Sequence, residues 1–213
     1  MLGIIIFSGN ERSLIFYDGS GRMKSTDKRG DIIQAALELI AEKGFHGAPM
    51  SEISAKAGVA AGTIYRYFEN KEVLIKELHK ELEEKIREHI QEGYSIEQPL
   101  RERFLFLLNE LLRYFIKNPL HFRFIEQYFN SPYGISLHRE KLLGKPGNHD
   151  MVMEIFDQGI KQQVLKELPK AVLFSLAFGS MIILMRDHIL GFFTLDDFLI
   201  KQVSEACWDA VKR

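Results

Sequence analysis

The sequence predicts an all-α fold in two parts, and three observations carry that prediction. Apolar residues recur at three- and four-residue steps through most of the chain, glycine and proline fall at the junctions between the periodic runs, and only six of the 213 residues are proline. Such spacing lines one face of a helix, whereas a sandwich or barrel would show short alternating runs. Hydrophobic residues at 46% and charged residues at 27% are ordinary for a chain of this length with a buried core.

Residues 1–22 carry Gly9, Gly19 and Gly21 without any sustained period, so they form an N-terminal extension. A disordered arm, a short hairpin and an upstream-start artefact all fit it. The run Leu2 to Phe7 has no basic leader and is shorter than the roughly 7–15 apolar residues of a signal-peptide core.

From Asp27, residues Ile32, Ile33, Ala36, Leu37, Ile40 and Ala41 define a first helix, stopped by Gly44. A second runs from Met50 to Ala57 with Ile53 and Ala57 inward, Gly58 permits a sharp turn, and a third spans Ala60 to Phe68. Asn70 caps a fourth, whose stripe of Val73, Leu74, Leu78, Leu82, Ile86 and Ile90 reaches Gln91. The charges opposite that stripe, Lys76, Glu77, Lys80 and Glu84 among them, form a solvated face. Further helices are predicted over Pro99–Lys117, Pro119–Phe129, Gly147–Gln162, Pro169–Leu190 and Thr194–Lys212, with no internal repeat. The expected division is an extension over 1–22, a small domain over 23–71 and a larger helical domain over 72–213.

A net charge of -1 means that any nucleic-acid contact must come from local clustering. The single cysteine, Cys207, cannot close an internal disulfide, which fits the reducing cytoplasm. The longest apolar run, Ala171 to Met185, is shorter than the roughly 18 residues of a membrane span and is followed by Arg186, Asp187 and His188, so a buried helix and no membrane are expected.

The informative stretch is Met50 to Phe68, where two short helices meet at the Gly58 turn. A helix-turn-helix does this: its first helix braces on the backbone and its second enters the major groove. Small Ala60, Ala61 and Gly62 at the start of the second helix allow close approach to a duplex, and Thr63 offers a hydroxyl and a methyl to base edges. Tyr65, Arg66, Tyr67 and Lys71 offer donors to phosphates, while Ile64 and Phe68 are spaced to anchor the helix inward. Upstream, Arg22, Lys24, Lys28 and Arg29 read either as a basic arm on DNA or as an ordinary solvated terminus.

Ala57-Gly58-Val59, then Gly62-Thr63-Ile64-Tyr65, Tyr67-Phe68 and Lys71-Glu72, resemble the signature of the tetracycline-repressor (TetR/AcrR) family. The resemblance covers residues 27–74; the remainder is similar to the family in its length and helical pattern. It implies a dimeric regulator on a near-palindromic double-stranded DNA operator, released by a ligand. It also implies phosphate contacts at Tyr65, Tyr67 and Lys71, and groove-facing positions at Ala61, Gly62, Thr63 and Arg66. Two departures stand out. Pro49 occupies the place where the family carries a Ser or Thr cap, for which Ser51 is the available substitute, and Ala60-Ala61 replaces a common Ser-Lys pair.

The C-terminal part concentrates phenylalanine and methionine, which suits a pocket for a small apolar effector. Phe104, Phe122, Gln127, Phe156, Phe178, Met181 and Met185 are the candidate lining. Tyr114, His121, Arg123, Tyr128, Arg186 and His188 are further polar candidates, each also readable as surface or satisfied core. His138, His149, Asp150 and Glu154 lack zinc-ligand spacing, and there is no nucleophile elbow or phosphate-cradling loop, so neither a metal or other cofactor nor catalysis is expected. The last two helices are apolar on more than one face, which fits pairing with a second copy as a homodimer. A different reading also fits these patterns: a helical small-molecule-binding or enzymatic protein whose N-terminal helices only look like a DNA reader.

Overall fold

The computed structural model describes residues 16–17, 23–24, 27–142 and 150–213. The described chain separates into two compact units, one ending at Leu78 and one running from His79 to Arg213. Ahead of the helices, β1 (Phe16–Tyr17) and β2 (Met23–Lys24) pair antiparallel.

In the first unit α1 (Lys28–Lys43) starts where the Asp27 carboxylate accepts from the Gly30 N–H at 2.8 Å. It stops at Gly44, whose φ of 73° suits a residue without a Cβ. α2 (Met50–Lys56) and α3 (Ala61–Tyr67) meet at Gly58, φ 66°. α1 packs on α2 and α2 on α3. Ile32, Ala36, Ile40, Ile53, Ile64 and Phe68 are buried there, together with Leu74 and Leu78 from the start of α4 (Lys71–Gln91). The Asn70 side chain caps α4 as its sequence predicts, accepting from the Val73 N–H at 3.0 Å. Ser51 does not replace the missing cap of α2: Pro49 occupies that position and no side chain bonds the helix start. Ser51 lies inside the first turn, where its carbonyl accepts from the Ser54 hydroxyl at 2.9 Å. Ion pairs Lys43–Glu52 (3.0 Å) and Lys56–Glu38 (2.9 Å) tie α1 to α2 across the surface.

The second unit is built on α5 (Leu100–Lys117), which packs against α6 (Pro119–Phe129), α8 (Met151–Lys161), α9 (Lys170–Ile189) and α10 (Asp197–Val211). Its centre is aromatic: Phe104 lies 5.3 Å from Trp208 and 6.4 Å from Phe178, ring centre to ring centre, and Phe156 lies 6.4 Å from Phe178.

Three elements depart from expectation. α7 (Pro132–Leu142) is absent from the sequence reading, because its apolar spacing is weak and it opens on Pro132-Tyr133-Gly134, which reads as a turn. Proline is in fact well placed in a first helical turn, and the Ser131 hydroxyl beside it donates to the Tyr128 carbonyl at 2.6 Å. α8 starts at Met151, where the Asp150 carboxylate accepts from the Val152 and Met153 N–H groups; the expected start at Gly147 lies outside the described residues. α10 starts at Asp197 rather than near Thr194, because Asp196 caps it through the Leu199 N–H at 2.8 Å. Among the described residues one helix, α9, is long and apolar enough by length and composition to cross a membrane. Leu173, Ala177, Phe178, Met181 and Met185 on one side of it are buried in the core of this unit.

Candidate functional site

α3 is two-sided. Ile64 and Phe68, one helical turn apart, are almost wholly buried, whereas Tyr65 and Tyr67 are 55% and 44% exposed. Arg66, Ala60, Ala61 and Gly62 are also exposed and Thr63 is half-buried. A Cβ built on Gly62 would meet nothing within 4 Å, so the start of α3 is open to a large, flat partner. Seven of the nine residues read from sequence as DNA contacts, Ala60 to Thr63 and Tyr65 to Tyr67, therefore share this short segment, and six of them are exposed.

Ser51, on α2, is exposed as well. Lys71 behaves differently: its ammonium donates to the Phe45 carbonyl and is half-buried, and burial pushes its pKa below the ordinary lysine value. The side chain latches the α1–α2 connection to the start of α4 and is not spread over the α3 surface. Arg29, offered as part of a basic arm, pairs with Glu77 at 2.9 Å and lies over the Phe68 ring at 5.5 Å. The side chains of Arg22 and Lys24 lie outside the described residues.

The second unit contains a partly open cavity of about 480 Å³ lined by the His79–Ile90 part of α4 and by α5, α6, α8 and α9. Ile86, Leu111, Phe115, Phe122, Phe178 and Met181 supply apolar walls, and Glu83, Arg87, Asn130 and Asp150 supply polar groups. Of the seven residues read as its lining, Phe122, Phe178 and Met181 face it; Phe104, Gln127, Phe156 and Met185 do not. Phe104, Phe156 and Met185 are buried in the packed core instead, and Gln127 is half-buried on α6. The sequence reading missed the α4 contribution, whose stripe of Ile86 and Ile90 was legible only as core.

The polar candidates are mostly internal fasteners. Tyr114 and His121 share a hydrogen bond of 2.8 Å between α5 and α6. Burial, and then the charge of Lys85, hold His121 below its ordinary pKa; burial raises that of Tyr114. Tyr128 stacks on His79 at 3.9 Å, and His188 Nδ1 accepts from the Leu195 N–H at 3.2 Å. Arg186 pairs with Glu126, and Arg123 is exposed. Among the described residues no group of three or more His, Cys, Asp or Glu side chains is placed to hold a metal ion. His149 lies outside the described residues, as does the side chain of His138.

Residues 32–78 match the family of bacterial regulatory proteins, tetR family, and residues 99–212 match the tetracyclin repressor-like C-terminal domain. The chain belongs to the TetR family. Its relatives include an uncharacterized HTH-type transcriptional regulator of Haemophilus influenzae, 25% identical over 192 residues that cover 90% of this chain and all of that protein. The fatty acid metabolism regulator protein of Bacillus subtilis is 39% identical over 79 residues, a match spanning 37% of this chain and 41% of that protein's length. Among solved structures, a putative TetR-family transcriptional regulator from Vibrio parahaemolyticus superposes with a TM-score of 0.70 at 34% identity, covering 88% of this chain and 99% of that one. This TetR chain is thus a helix-turn-helix transcriptional regulator and not an enzyme, with an N-terminal DNA-binding part and a C-terminal helical part. TetR regulators bind DNA as dimers, so duplex DNA and a second copy of the chain are its partners.

Proposed function

We propose that this regulator is a repressor that leaves a near-palindromic operator when a small apolar effector fills the cavity of its second unit. The observation that carries the DNA half is the surface of α3, which exposes Tyr65, Arg66 and Tyr67 beside Ala60, Ala61 and Gly62 over buried Ile64 and Phe68. A duplex needs that combination: hydrogen-bond donors for phosphate and base edges, and no bulk where the helix backbone must come close. Ser51, Thr63 and the backbone at Lys71 complete the contact set.

A gel shift with the DNA upstream of the regulator's own gene tests this assignment. Affinity should fall steeply as salt rises, as counterion release requires, and Arg66→Ala or Tyr65→Ala should cost about 1–3 kcal/mol of binding with unchanged thermal stability. Unchanged affinity in both variants would remove α3 from the contact set.

The effector half rests on the cavity, which has apolar walls and a few polar groups in the proportion that binds a chain-like molecule. The name of the Bacillus subtilis relative, a fatty acid metabolism regulator, points to a fatty acyl chain as the class to try first. α4 is continuous from Lys71 to Gln91 and contributes Ile86 and Ile90 to the cavity wall, so a ligand there shifts the population of α4 positions. Calorimetry with fatty acids of graded length, followed by operator titration at saturation, checks the coupling. An acid that saturates the protein yet leaves operator affinity unchanged would sink the regulatory claim.

The exposed apolar residues Val172, Leu176 and Ile183 on α9 and Phe198 on α10 form the face for the second copy. This role also accounts for the apolar composition of α9 without a membrane, and acting on the chromosome places the protein in the cytoplasm.

A further inference from the structure

We infer that the second unit holds a separate site for a small oxyanion, a carboxylate or a phosphate, at the guanidinium of Arg103. Arg103 sits on α5 and is only 4% exposed. Its Nε donates to the Tyr94 hydroxyl at 2.9 Å and its Nη1 to Gln158 Oε1 at 2.6 Å, with the Tyr94 ring 5.5 Å from its central carbon. Both acceptors are neutral. Its Nη2 is buried and has no hydrogen-bond partner among the described residues, and no ion pair involves Arg103 among them. A buried guanidinium cannot escape its charge by losing a proton as a lysine does, so the cost of burying it stands until an anion meets it.

A second cavity of about 480 Å³ is lined by Arg103, by Tyr94, Ser95 and Gln98 from the loop after α4, and by Asn109 and Lys201. Two carboxylates also line it, Glu102 and Glu205, but both are held by Arg101, at 2.9 and 2.6 Å. Neither therefore serves as the counterion of Arg103. The charged lining is Arg103 and Lys201 against Glu102 and Glu205; with both carboxylates engaged by Arg101, which is not itself part of the lining, neither cation has a carboxylate partner among the described residues. Leu105 and Phe106 add apolar wall to the same cavity. No residue lining this cavity lines the apolar one, so the site is independent of the effector reading.

The test is direct binding, with no DNA present. The full-length protein is titrated with sodium acetate and, separately, inorganic phosphate at constant ionic strength, using calorimetry together with the arginine Nε–H resonances. Saturable binding of either anion that shifts one arginine resonance, is lost in Arg103→Gln and weakens by about threefold or more in Lys201→Glu supports the site. Acetate alone identifies a carboxylate ligand and phosphate alone a phosphorylated one. A linear, non-saturating response to both anions overturns the inference, as does undiminished binding in Arg103→Gln. Where Arg103→Gln fails to fold, undiminished binding in the exposed-site variant Lys201→Glu overturns it instead. Loss of operator binding or of fatty-acid response has no bearing on this readout, so the two proposals fail separately.

Discussion

At the scale of single residues, two exposed glycines a few positions apart do opposite work. Gly58 makes the turn between α2 and α3 with φ 66°, and a Cβ there would touch nothing, so the only obstacle to a side chain is the backbone conformation. Gly58→Ala should lower stability by about 1–2 kcal/mol in urea unfolding. Gly62 lies within α3 without a positive φ and is equally open. Gly62→Ala should hold or raise stability, by up to about 1 kcal/mol, yet weaken operator binding in the gel shift because its methyl group occupies space the duplex needs. Equal operator affinity would mean that the start of α3 stands away from DNA. The turn at Gly58 and the exposed helix position of Gly62 were legible because turn position and helix face are local properties. The engagement of Lys71 was not, since the Phe45 carbonyl that captures it is 26 residues away in sequence.

Between elements, the fastening of α5 to α6 carries a pH dependence. His121, bonded to Tyr114, is held below its ordinary pKa of 6.5 by burial and by Lys85. On acidification the unfolded chain takes up this proton before the folded one does. The contribution of His121 is therefore intact above about pH 6.5 and is lost as pH falls through the folded value. The urea midpoint should drop between about pH 7.5 and 5, and His121→Gln should drop less over the same range; parallel loss in both proteins would remove His121 as a source. The same scale shows where periodicity misleads. α7 has too weak a stripe to announce itself, and it is held by its Pro132 start and its packing on α6.

For the whole molecule, the exposed face of α9 and α10 is the surface proposed for the second copy. Leu176 and Ile183 lie two helical turns apart and are 40% and 49% exposed, while Phe198 is 70% exposed. Apolar residues repeated on one solvent-facing side are what a self-complementary interface buries. Ile183→Glu should convert dimer to monomer in sedimentation without unfolding it, and operator affinity should fall by roughly two orders of magnitude as the second half-site contact is lost. A variant that stays dimeric would move the interface elsewhere. The division at Leu78 falls inside α4, so one continuous helix belongs to both compact units, which the sequence showed only as an unbroken apolar stripe.

Most helix positions, though not that of α7, the anchoring pair Ile64 and Phe68, the two turn glycines and the donors arrayed on α3 were written in the sequence, because each depends on spacing within one helix or across one turn. Which phenylalanines border the cavity and which are packed solid was decided only by tertiary structure. Phe104 and Phe122 are alike in sequence and both are buried, yet one meets Trp208 and the other faces open volume. The same holds for the buried charge of Arg103, whose partners come from a loop and from a helix 55 residues away. Periodicity says that a side chain points inward; what it meets there depends on how separate helices cross, and that is a property of their packing.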